Sequence, residues 1–237
     1  MLLEIIAFNL QSCVKIQNAG AQRIELCDNP AEGGTTPSYG FIKAAREATG
    51  IQLFPIIRPR GGDFLFSDEE FEIMKSDIKL CKELGCDGVV IGLLNADGTI
   101  DKERTATLVS LAYPLNVTFH RAFDRVKDMY IGLEDVIATG CDRILTSGLF
   151  PTAEQGLENL QKLVEAANNR IVIMPGSGIR SANINIIAQK TGATEFHSSA
   201  RILSGSLMQY YNKNMNETLE YYTVDEDEVK KLATAIK

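Results

Sequence analysis

The sequence predicts an α/β protein, a single eight-stranded parallel (β/α)8 barrel of TIM type with a C-terminal helical extension. Three observations predict it. Helix-like stretches run into a glycine and then a short apolar strand five times, at Gly20, Gly50, Gly85, Gly140 and Gly192. Each glycine stands where a helix ends and a left-handed residue costs least. Each apolar run that follows is short enough for a buried parallel strand. The chain has 237 residues, near the roughly 250 typical of such a barrel.

Eight strands are expected at residues 2–8, 23–27, 52–58, 88–93, 116–120, 143–147, 171–174 and 195–199. Ser67-Asp68-Glu69-Glu70, Asp101-Lys102-Glu103, Pro151-Thr152-Ala153-Glu154 and Ser181-Ala182-Asn183 read as helix starts, with capping side chains and early acidic residues. Asn9 to Ser12 carries no glycine, which disfavours the open doubly wound alternative and its glycine-rich first turn. Residues 203–237 form the extension, in which Thr223-Val224-Asp225-Glu226-Asp227-Glu228-Val229-Lys230-Lys231 reads as a capped acidic-to-basic final helix. Tyr210, Tyr211, Tyr221 and Tyr222 pack either on the barrel or on another subunit. With no linker or composition shift, residues 1–237 read as one domain.

A net charge of −7 without a lysine/arginine run excludes a nucleic-acid backbone as a natural partner. No apolar stretch approaches the roughly 20 residues of a membrane helix, and the N-terminus has no basic segment of the secretory kind. A cytoplasmic protein without a membrane partner is expected. The five cysteines form no C-x-x-C pair, so neither a disulfide framework nor a structural zinc site is indicated.

In such a fold chemistry gathers after the strand C-termini. Arg58 and Arg60 flank Pro59 ahead of Gly61-Gly62. They form an anion clamp, or alternatively pair with carboxylates, and the sequence weighs both equally. His120-Arg121-Ala122-Phe123-Asp124 ends the fifth strand, and a histidine there suits acid/base work or metal ligation. Ser147 closes the sixth strand, and Gly176-Ser177-Gly178 after the seventh resembles a phosphate-binding turn. Period two places Glu4 and Ile6 on one face, Glu25 and Cys27 on one face, and Glu195, His197 and Ser199 on one face. If those faces point inward, Glu4, Glu25 and Arg58 are candidates for a buried network. The residues thus point to an enzyme acting on a small anionic or phosphorylated molecule. Glu25, His120 and Asp124 would do acid/base work, and Arg58, Arg60, Arg121, Ser147, Gly176, Ser177 and Gly178 would bind the anion.

The loop from Cys27-Asp28-Asn29 through Glu32-Gly33-Gly34-Thr35-Thr36-Pro37-Ser38, with Arg58-Pro59-Arg60-Gly61-Gly62-Asp63-Phe64, Thr118-Phe119-His120-Arg121-Ala122-Phe123-Asp124 and Thr146-Ser147-Gly148, resembles the CutC family of copper homeostasis proteins. The resemblance runs from Glu4 to about Ala200. It implies a TIM-type barrel, a cytoplasmic homo-oligomer and a role in copper handling, with copper as a possible cofactor. In some members the proposed ligands are cysteines at the ends of the first two strands. The second matches Cys27, whereas this chain carries Ile6 at the first.

Overall fold

A computed structural model of the chain describes residues 1–236. The strands are β1 (Leu2–Ala7), β2 (Arg23–Leu26), β3 (Gln52–Pro55), β4 (Gly88–Ile91), β5 (Asn116–Phe119), β6 (Arg143–Thr146), β7 (Val172–Pro175) and β8 (Glu195–Ser198). Between them lie α1 (Leu10–Asn18), α2 (Tyr39–Ala48), α3 (Asp68–Glu83), α4 (Lys102–Ala112), α5 (Met129–Thr139), α6 (Leu157–Ala167) and α7 (Ile184–Thr191).

Parallel ladders join the strands in the orders β3-β2-β1-β8 and β4-β5-β6-β7. A parallel bridge between Ile56 and Val90 links β3 to β4, where the Ile57 amide donates to the Val90 carbonyl at 2.8 Å. β7 and β8 lie side by side, without a ladder between them among the described residues. The eight strands therefore follow the cyclic order of a TIM-type α/β fold.

Alternation along each strand sorts its side chains. Leu3, Ile5 and Ala7 of β1 enter the main core beneath the helices, while Ile6 joins Cys27, Phe54, Ile56 and Val90 in a small inner cluster. Glu4 is fully buried on the same face as Ile6. Helix α3 shows how local sequence sets a boundary. Ser67 Oγ accepts from the Glu70 amide and the Glu70 carboxylate accepts from the Ser67 amide, a reciprocal cap. Met74, Ile78 and Cys81 then recur on the buried face. Helix α6 begins at Leu157, later than the Pro151–Glu154 segment implies. There the Thr152 hydroxyl accepts from the Gln155 amide in a turn rather than opening the helix.

The C-terminal extension divides in two. Helix α8 (Glu226–Ala235) packs against α1, α7 and β1, the place of the eighth helix of the ring. What is added to the TIM-type α/β fold is a two-stranded antiparallel ribbon, β9 (Arg201–Ser204) with β10 (Tyr221–Val224). Its base docks on α1, with Asn9 Nδ2 donating to the Tyr222 carbonyl and the Val224 amide donating to Ser12 Oγ. No helix among the described residues is long and apolar enough to cross a membrane.

Candidate functional site

A column of ionisable side chains rises through the sheet interior. At its base Arg23 and Arg143 reach the Glu195 carboxylate at 2.7 and 3.1 Å, and both guanidiniums lie over the Phe54 ring. Arg23 also meets Glu4 at 3.3 Å. One step up, His197 Nδ1 lies 2.8 Å from Glu4 Oε1, and its Nε2 lies 3.8 Å from Glu25 Oε2. The β1–β8 and β1–β2 registers cause this, since they set Glu4 beside His197 and beside Arg23. His197 thus pairs with Glu4 and Glu25, and Glu195 goes to the arginines.

Burial this deep demands charge balance. Two arginines face three glutamates, and one further proton, on either His197 or Glu25, balances the set. Burial opposes the Glu4 charge, yet the His197 hydrogen bond and the nearby cations outweigh it and hold this carboxyl below its ordinary value. Burial likewise opposes the His197 charge, but Glu4 and Glu25 raise its proton affinity. Glu25 differs: burial pushes it up to about 7, with the Glu4 charge adding to the effect and His197 opposing it. The column therefore ends in a carboxyl poised to gain or lose a proton near neutral pH.

That carboxyl lines a cavity of about 260 Å³ at the C-terminal ends of the strands. His197, His120, Arg58, Arg121, Ser177 and Gly178 also line it, together with Ser199 and Arg201. No sequence motif surrounds Ser199 and Arg201 to mark them as anion ligands. Apolar walls come from Ile6, Phe8, Ile56, Phe64 and Leu145.

The other predicted residues are placed differently. Arg60 binds Glu70, Asp63 and the Leu65 carbonyl, away from the cavity. Asp124 accepts from the Ser147 amide and hydroxyl, the Leu149 amide and Arg121, so it braces the β6 end as a buried acceptor. Ser147 is buried and accepts from Arg121 Nη2 at 2.9 Å. Arg121 is thereby held by Asp124 and Ser147 with its cation at the cavity wall. Gly176 passes Leu145 and the His197 ring so closely that an added Cβ would lie 2.4 Å from Leu145 Cδ1. Arg58 enters no network with Glu4 and Glu25. Its Nη atoms donate to the carbonyls of Glu32, Gly34 and Gly62, because those glycine-rich loops leave carbonyls that need a donor.

Two donor sets bear on metal. Cys27 is fully buried in the apolar inner cluster beside Ile6, and burial with the nearby Glu25 charge pushes its thiol well above its ordinary value. A single protonated thiol without a second sulfur ligand does not fit Cu(I). Glu4, Glu25 and His197 do converge, each with a donor atom within 4.8 Å of the others. This oxygen–nitrogen set suits harder divalent ions. An anaerobic Cu(I) competition titration against a chromogenic chelator is expected to find no tight site that depends on Cys27. Tight one-site binding lost in Cys27→Ser would contradict this.

Residues 1–202 match the sequence profile of the CutC family. The chain is 53% identical over 209 residues to a CutC family protein of Chromobacterium violaceum, covering 88% of this chain and 85% of that one. It is 47% identical over 214 residues to the human copper homeostasis protein cutC homolog, covering 90% and 78%. A solved CutC structure from Streptococcus agalactiae superposes with a TM-score of 0.80 at 39% identity, covering 84% of this chain and 98% of that one. These matches span the strands and loops that build the cavity, and the chain belongs to the CutC family.

Proposed function

We propose that the chain serves copper homeostasis, the role for which its human relative is named, and that it does so as an enzyme transferring protons on a small anionic or phosphorylated molecule. The observation that carries this is Glu25, a carboxyl that burial pushes up to about 7, set beside the His197–Glu4 pair and lining the cavity. A group titrating near the working pH is what general acid/base chemistry requires. Arg121, Arg201 and the Ser177–Gly178 turn give the anion its counter-charge and amide donors. The same reading puts the protein in the cytoplasm as a homo-oligomer, without nucleic-acid or membrane partners. The oligomer is supported by the ribbon, which exposes Leu203, Leu207, Met208 and Tyr210.

A thermal-shift panel of phosphorylated and carboxylated metabolites tests the enzyme reading. A true ligand at 100 times its Kd adds about 2.7 kcal/mol to stability, roughly 5–10 °C in Tm for a chain this long. Arg121→Met is expected to remove most of that shift. No response from phosphate, sulfate or the whole panel would overturn the reading.

A further inference from the structure

Two buried nitrogens at the cavity wall, His120 Nε2 and Arg58 Nε, have no hydrogen-bond partner. Buried N–H groups are almost always paired, so two orphans in adjoining side chains call for an acceptor that the protein itself does not supply. Both are held in place. The Ala122 amide donates to His120 Nδ1 at 3.1 Å, which leaves the imidazole proton on Nε2. Gly92 lies against this ring so closely that a Cβ there would stand 2.3 Å from Nδ1. The Phe64 ring packs against it from another side, with centroids 4.9 Å apart. Burial and the Arg58 charge keep the imidazole neutral, down to about 3. The three loop carbonyls engage both Nη atoms of Arg58 and fix the guanidinium, while its buried Nε–H has no partner. Phe64 also packs on this guanidinium at 4.9 Å, so one ring packs against both side chains.

We propose that His120 Nε2–H and Arg58 Nε–H form a two-donor hole for the carbonyl oxygen of the substrate, and that the reaction is proton removal from the carbon beside that carbonyl. This rests on reading the cavity as a proton-transfer site. Glu25 takes the proton from carbon. The C–H electron pair becomes the new C=C bond, and the carbonyl π pair moves onto oxygen as an enolate that the two N–H groups stabilise. Returning the proton from Glu25 to the same or the neighbouring carbon closes the cycle without an oxidant or reductant. A neutral imidazole suits the task, because it donates without surrendering its proton to the enolate.

The test uses two pairs of probes that differ only as carbonyl and alcohol: dihydroxyacetone phosphate with glycerol 3-phosphate, and pyruvate with lactate. Exchange of the hydrogens beside the carbonyl is followed by NMR in heavy water, and binding of all four compounds by calorimetry. The full-length wild type is expected to prefer the carbonyl member of one pair and to exchange its hydrogens, the responding pair showing whether phosphate or carboxylate is the anion. His120→Asn keeps an acceptor for the Ala122 amide but lacks the far donor. It is expected to slow exchange about 10²–10³-fold and to abolish the carbonyl preference, with binding of the alcohol member retained. Equal binding of carbonyl and alcohol without exchange, or exchange as fast in His120→Asn as in wild type, would overturn the two-donor hole while leaving an anion site intact. No binding of any of the four at millimolar concentration would overturn both.

Discussion

Replacing Arg23 with Met is expected to destabilise the protein by about 3–5 kcal/mol, the range for breaking a buried ion pair from one side. Arg23 is 1% exposed and serves four neighbours: Glu4, Glu195, the Gln52 side-chain oxygen and the Phe54 ring. Methionine fills much of the same volume, so the loss reports on charge rather than on a void. Glu4 keeps His197, and Glu195 keeps Arg143, but two arginine charges against three carboxylates become one. Urea unfolding measures the loss. Adding Glu195→Gln to Arg23→Met is expected to recover part of it, and the double-mutant cycle should show coupling above about 0.5 kcal/mol. A loss below about 1 kcal/mol, within the ordinary range of surface substitutions and slightly beyond, would mean that the column does not act as one charge-balanced unit.

Glu25→Gln is expected to change how stability depends on pH. The carboxyl rises from 4.5 to about 7 on folding. A raised value means that the folded state favours the protonated form. The associated stability is fully present below about pH 4.5 and is lost as pH climbs through 7. Glutamine has no charge to bury, so the wild type should lose stability relative to the variant across that window. The difference reaches about 3 kcal/mol, since each pKa unit corresponds to 1.36 kcal/mol. Unfolding curves of both proteins through the window check the sign. A constant difference from pH 4.5 to 7 would show that Glu25 titrates as an ordinary carboxyl. His120 contributes equally to both proteins and with the opposite sign, because its folded value is depressed to about 3.

The strands were legible because the signals that mark them are local. A glycine at the helix end and a short run of buried apolar residues both lie within a few positions, and β1 to β8 fall where those runs lie. The ring position of α8 was not legible, because the ribbon places 20 residues and more between β8 and Glu226. At the site, period two correctly grouped Glu25 with Cys27 and Glu195 with His197. It could not say which glutamate His197 would choose, since that depends on the register between β1 and β8, opposite ends of the barrel sequence. Arg58 and Arg60 have the residue types of an anion clamp, but distant loop carbonyls and Glu70 engage them. Asp124 is drawn by amides more than 20 residues away. Arg23 and Arg143 hold the same place in two of the repeats, immediately before an apolar run. That equivalence was the one available clue that both point inward.

The most direct measurement is an NMR titration of isotope-labelled glutamate carboxyls in wild type and Glu25→Gln. The account predicts one carboxyl titrating near 7 that is missing from the variant. If every carboxyl titrates in the ordinary range, or the high one survives the substitution, Glu25 is not the proton-transferring group at the cavity.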